Sequence, residues 1–199
     1  MKLLASAIIF MYLFLSTPEN KELKFTVFHE GKNIGTMKVT KRQDGGKVIR
    51  ELKTDTDRKV MVASIHVESD VSIVSDEEIV TMGMAYRYGN PSTNDVHSNV
   101  MRLGSKYQIE QNGVVRNMEV SKIEFCMVDL YFKEPKGVTT VFSNMHSVFL
   151  PIKKTGEGEY QVQFPDDKTA IYKYKEGEID VVESNTPYGI IISRRKWKS

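Results

Sequence analysis

Polar and apolar residues alternate along most of this chain. From Met61 to Ile73 the odd positions read Met61, Ala63, Ile65, Val67, Ser69, Val71 and Ile73, while the even ones include Ser64, His66, Glu68, Asp70 and Ser72. That is the period of a strand with one buried and one wet face. Val80, Met82, Met84, Tyr86 and Tyr88 repeat the rhythm against Thr81, Gly83, Ala85 and Arg87. Turn residues interrupt such runs at short intervals, at Glu30-Gly31-Lys32-Asn33, Asp44-Gly45-Gly46, Gln111-Asn112-Gly113 and Glu176-Gly177, as hairpin connections do. The clearest meander has Tyr160, Val162 and Phe164 on one face, a turn at Pro165-Asp166-Asp167-Lys168, and Ala170, Tyr172 and Tyr174 returning. Parallel crossovers need long helices between strands, and the pattern offers none. The fold class is therefore mainly β: a single antiparallel sheet built of hairpins, strongly curved or barrel-like.

One short helix is expected. Ser121 followed by Glu124 is a capping box leading into IEFCMVDLYF, where Ile123, Met127 and Leu130 fall at helical spacing; the same letters also suit a strand. Glu134 precedes a proline and is pushed out of helical geometry, and Glu134-Pro135-Lys136-Gly137 has proline and glycine where a type I turn favours them. A strand follows from Val138, with Val138, Thr140 and Phe142 on one face. The aromatics on both sides of the turn are expected to cover one end of the sheet.

The ends of the chain bear on location. Lys2 precedes Leu3 to Leu15, an uninterrupted apolar run that suits an export signal and is short for a transmembrane helix. Residues 1–17 are read as that signal and 18–199 as one β-rich domain, secreted or periplasmic. STPEN offers no small-x-small cleavage pair, so an uncleaved membrane anchor is the competing reading. The single cysteine, Cys126, lies inside the apolar FCMV and cannot form an internal disulfide; it reads as a small hydrophobe. With 28 Lys and Arg against 26 Asp and Glu, composition gives no electrostatic reason to expect nucleic acid, and a monomer is expected.

Three stretches in order, FTVFHEGKNIGTM (Phe25 to Met37), LYFKEP followed by VFSN, and YQVQFPDDKTAIYKYKEGEIDVVE, resemble an uncharacterised family of secreted bacterial proteins known only as a domain of unknown function. Where the family pattern has glycine after FPD, this chain has Asp167, a residue that tolerates a left-handed turn. The resemblance implies export to a Gram-negative envelope and a compact β-rich domain; it brings no activity, cofactor or catalytic residue.

Candidate chemistry is sparse. His66, Glu68 and Asp70 alternate on one strand face and could converge on a cation, above all if a second strand supplied another ligand; a hydrated outer face is the preferred reading. Neither Ser143 nor Ser147 in FSNMHS would share a strand face with His146, and Gly-x-Ser-x-Gly and His-Glu-x-x-His are absent from the sequence. Glu77 with Glu78, and Asp166 with Asp167, look like solvated turn residues. Methionines on strand positions could line an adaptable apolar cavity, Met82, Met84 and Tyr86 being the best trio, although methionine also fills gaps in ordinary cores. SRRKWKS at the C-terminus suits an anionic membrane surface or a frayed strand end. These readings give a non-enzymatic, exported binding or scaffold protein with no catalytic residue, cofactor or metal expected. The alternatives are a carrier of an apolar, lipid-like ligand inside the sheet, which would use Met82, Met84 and Tyr86, and a metal-dependent hydrolase using His66, Glu68 and Asp70.

Overall fold

A computed structural model describes residues 20–60, 63–90, 95–186 and 189–197; the expected export signal, residues 1–17, lies outside them. The described residues form one antiparallel sheet of fourteen strands. The first eight are β1 (Lys21–His29), β2 (Lys32–Asp44), β3 (Lys47–Val60), β4 (Ala63–Asp76), β5 (Ile79–Asn90), β6 (Val96–Leu103), β7 (Lys106–Gln111) and β8 (Val114–Met118). After a 3-10 turn at Met127–Tyr131 come β9 (Thr140–Ser143), β10 (Val148–Gly156), β11 (Glu159–Gln163), β12 (Thr169–Lys175), β13 (Glu178–Thr186) and β14 (Gly189–Arg195).

Across the sheet the order is β8-β7-β6-β5-β4-β3-β2-β1-β14-β13-β12-β11-β10-β9. Every neighbouring pair is a hairpin connection except β1 with β14, so two meanders are joined where the last strand meets the first. A twisted sheet this wide curls on itself, and here it brings its two end strands, β8 and β9, to the same side of the molecule.

Turn chemistry explains the hairpins. Asn112 and Gly113 have φ of 50° and 82°, and Glu176 and Gly177 have 53° and 80°, two consecutive left-handed residues of the kind that matches the twist of flanking strands. Asp167 takes φ 59°, so the aspartate holds the left-handed turn position that it was expected to tolerate.

The interior is filled by the chain itself. Between β8 and β9 the segment 119–139 runs through the curl, with Ile123, Cys126, Val128, Leu130 and Tyr131 all buried. Tyr131 meets Phe25 of β1 edge to face at 5.5 Å and Tyr172 of β12 at 5.8 Å, an arrangement that suits the ring quadrupoles. Tyr107 of β7 donates its hydroxyl to the Val80 carbonyl at 2.8 Å and accepts the Ile123 amide at 3.0 Å, while the Val80 amide donates to the Ile123 carbonyl at 2.9 Å. The Phe142 amide donates to the Phe125 carbonyl at 2.8 Å, and Tyr174 donates its hydroxyl to the Leu130 carbonyl at 2.5 Å. These bonds satisfy an irregular buried backbone that has no ladder of its own.

A buried ion pair completes the lock. Arg50 of β3 points inward, its Nε 2.8 Å from Asp129 Oδ1 and both terminal nitrogens donating to Ser75 Oγ at 3.0 and 3.1 Å. Asp129 Oδ2 accepts the Cys126 amide at 2.7 Å, which caps the 3-10 turn. The expected helix from Ser121 does not form: only Met127–Tyr131 is helical, and it begins after Cys126. A segment buried on several sides has no single apolar stripe, so the spacing of Ile123, Met127 and Leu130 misled. The proline turn also closes one residue later than expected, with the Val138 amide donating to the Pro135 carbonyl at 3.2 Å and Gly137 at φ 77°. Tyr131 packs inside the curl instead of covering its end.

Candidate functional site

Two groupings of polar side chains stand out, one at the seam of the curl and one on its outer face. At the seam, the turn between β9 and β10 fastens the end strands without a backbone ladder. Ser147 Oγ lies 2.8 Å from Ser98 Oγ of β6, Gln111 of β7 donates to the Met145 carbonyl at 3.2 Å, and Arg116 of β8 donates to the Ser147 carbonyl. Asn144 is buried against Gly83 of β5, its amide nitrogen 2.0 Å from where a Cβ on Gly83 would sit; glycine is required there by close approach.

The seam brings together a pair the strand pattern kept apart. Ser143 Oγ lies 3.0 Å from His146 Nδ1, because residues 144–147 form a turn and strand alternation does not apply. The same oxygen accepts the His146 backbone amide at 3.3 Å, and Ser143 is buried, which is how a serine caps a turn. Phe164 packs on the imidazole at 5.2 Å. Burial first, and the Arg87 guanidinium second, hold His146 below the ordinary histidine value, with Asp166 opposing them.

Because the folded value of His146 lies below the unfolded one of about 6.5, the unfolded chain takes up the proton first on acidification. The His146 contribution is therefore complete above about pH 6.5 and is lost as pH falls from there toward the folded value. Urea midpoints measured at pH 7.5 and 5.5 should drop more for the wild type than for His146→Gln; an equal drop would remove His146 from the account.

On the outer face the ladder register sets rows across the strands. Thr36, Asp55, Glu68 and Tyr88 are successive partners from β2 to β5, and Lys38, Lys53, Asp70, Tyr86 and His97 are successive partners from β2 to β6. Tyr86 and Tyr88 lie parallel at 6.4 Å, and Tyr86 stacks on His97 at 4.7 Å. The Tyr86 hydroxyl reaches Met84 Sδ at 3.9 Å. Met82 pairs with Met101 of β6, and these two with Tyr88 are exposed.

The trio Met82, Met84 and Tyr86 thus faces outward, and the reading that placed it with Val80 inside the sheet is corrected. Val74 pairs with Met82 but Ser75 pairs with Val80, so Thr81 is an extra residue. That bulge flips every later position relative to Val80: Val80, Gly83 and Ala85 are buried instead.

The His66 row is only partly as the sequence suggested. His66 Nε2 is 3.0 Å from Glu68 Oε1, but Asp70 pairs with Lys53 at 3.0 Å. Asp57 of β3 takes its place, 2.9 Å from His66 Nδ1, with Asp55 at 3.9 Å. Glu68 and then Asp57 raise the imidazole above its ordinary value. His97 and His146 do not join this cluster: the first lies across Tyr86 and the second at the seam. Cys126 packs in the core, where burial pushes its thiol well above the usual range. The C-terminal end is tied down: Trp197 donates its indole N–H to Asp180 at 2.9 Å, Arg195 lies over the indole at 3.9 Å, and Arg195 pairs with Glu178 at 2.6 Å.

Known proteins share this architecture without explaining it. The profile of a family described as a domain of unknown function, DUF6134, matches residues 25–196, nearly the whole described sheet. The chain belongs to DUF6134. The uncharacterised β-rich family that the motifs resembled is consistent with that assignment. Among solved structures, the DUF6134 chain is similar to a β-barrel-like protein of another domain of unknown function, DUF1849, from Brucella abortus. The two share 9% identity with a TM-score of 0.57, over 90% of this chain and 95% of that one. At such identity the likeness shows the fold alone. No curated protein matches the chain.

Proposed function

We propose that this DUF6134 protein is exported to the cell envelope and acts there as a non-catalytic binding or scaffold protein. Its contact surface is the outer face of β5 and β6. One observation supports this most: Ile123, Cys126, Val128, Leu130 and Tyr131 of segment 119–139 fill the interior of the curl, while Met82, Tyr88, Met101 and Leu103 remain exposed outside. An outer face bearing flexible thioethers and parallel phenol rings suits an apolar chain that binds without a fixed shape. The carrier reading therefore moves from the inside of the sheet to its outside, with Met82, Met84 and Tyr86 as ligand contacts.

The apolar dye N-phenyl-1-naphthylamine tests the surface. Its fluorescence should rise on addition of the protein, fall on addition of a fatty acid, and lose about ten-fold in affinity in a Met84→Ser/Tyr86→Ser variant, about 1.4 kcal/mol. Dye binding unaffected by that variant would reject the assigned face. Export is tested separately: residues 1–17 fused to alkaline phosphatase should give an enzyme active only outside the cytoplasm, and an inactive fusion would reject export.

A further inference from the structure

We propose that the β3–β4 ladder carries a divalent-cation site on its outer face, with Asp55, Asp57 and His66 as ligands and Glu68 as the group that orients the imidazole. The backbone register builds it. Asp57 is the direct partner of His66, and Asp55 of Glu68, so all four side chains project from one face. One ligand atom from each of Asp55, Asp57 and His66 lies within 4.8 Å of the others. Small rotamer changes bring such atoms to the roughly 2.0–2.2 Å that nitrogen and carboxylate ligands take around zinc.

The imidazole is already turned for the task. Nε2, 3.0 Å from Glu68 Oε1, can donate its proton to that carboxylate. Nδ1, 2.9 Å from Asp57 and 3.9 Å from Asp55, is then the nitrogen that gives up its proton and turns its lone pair to an incoming cation. A carboxylate behind a ligating histidine fixes tautomer and ring orientation in this way in established metal centres.

Charge supplies a separate argument. On the same outer face Asp70 is paired with Lys53 at 3.0 Å, and Glu22 with Lys38 at 2.7 Å. Among the residues whose side chains are described, a set that leaves out Arg58 and Lys59, no lysine or arginine forms an ion pair with Asp55, Asp57 or Glu68. Three carboxylates gathered on one imidazole repel one another, and a doubly charged cation relieves that repulsion more than any single side chain can. One imidazole nitrogen with carboxylate oxygens suits a borderline ion such as Zn2+. Ca2+ prefers six or more oxygens, and Mg2+ an octahedral oxygen shell. The side chains are 39 to 78% exposed, so water can complete the coordination. The sequence alone showed half of this site, because the charged run of β3 gives little strand signal and Asp57 becomes a neighbour only through pairing.

Calorimetric titration of tag-free protein with Zn2+ at pH 7.5 tests the site. The expected result is saturable binding of one ion per chain. It should weaken at least about 100-fold in Asp57→Asn and in His66→Gln, and about 10-fold in Glu68→Gln, the range typical of an orienting carboxylate. Asp70→Asn should leave it unchanged. All four side chains are exposed, so the variants should keep the wild-type circular dichroism spectrum. Absence of saturable binding, or affinity undiminished in His66→Gln, would overturn the proposal. The Met84→Ser/Tyr86→Ser variant should bind zinc normally, which separates this site from the proposed apolar face.

Discussion

Arg50→Ala should lower the unfolding free energy by about 3–5 kcal/mol, the usual penalty for removing one partner of a buried ion pair. Arg50 is 6% exposed, and its guanidinium is shared between Asp129 and Ser75. Truncation strands the Asp129 carboxyl inside the curl. Burial already pushes that carboxyl above its ordinary value, with Arg50 the strongest influence pulling it back. Without the guanidinium it holds a proton to higher pH, and the folded form then binds more protons than the unfolded one. The deficit of Arg50→Ala should therefore widen as pH rises from the unfolded carboxyl value of about 3.9 toward the raised folded one. Replacing both partners, as Arg50→Met with Asp129→Leu, should recover part of the loss because no charge is left to desolvate. Urea denaturation checks both, and a single-variant loss under about 1 kcal/mol would mean that the pair does not lock segment 119–139.

Phe25→Ala should cost a similar amount, about 3–5 kcal/mol. Phe25 is fully buried at the middle of β1, the strand that joins the two meanders, and its ring packs edge to face on Tyr131. The cavity would open between the sheet and the segment it encloses, where rigid strands on one side limit collapse. Met82→Ala should change stability by about 0.5 kcal/mol or less, as an exposed site does. The contrast tests which face of the sheet is which. Equal losses at Phe25 and Met82 would contradict it.

Much of the fold was legible in the sequence because one residue in two along a half-buried strand meets water. Hairpin positions were legible for a second reason: Asn112-Gly113 and Glu176-Gly177 are chemically suited to the left-handed turns they form. What the pattern hid depends on contacts distant in sequence. One extra residue, Thr81, reversed the faces of β5, and a strictly two-residue count cannot detect a bulge. Lys47–Val60 is too rich in charge to read as a strand, yet it supplies Arg50 to the interior and Asp55 and Asp57 to the outside. The stretch after Ser121 read as a helix or a strand because Ile123, Met127 and Leu130 fall at helical spacing in a short apolar run, and its conformation is set instead by Tyr107, Arg50 and Asp129. Ser143 and His146 meet because a turn replaces a strand there.

Buried side chains of segment 119–139 fill this curled sheet from within, so the proposed contact surface lies on its outside. Native-state hydrogen exchange tests it most directly. The Cys126 and Phe142 amides should exchange as slowly as the most protected amides of β1 and β2, through global unfolding alone. Fast exchange at those two positions while β1 and β2 stay protected would show that the interior opens independently of the sheet, and would contradict the account.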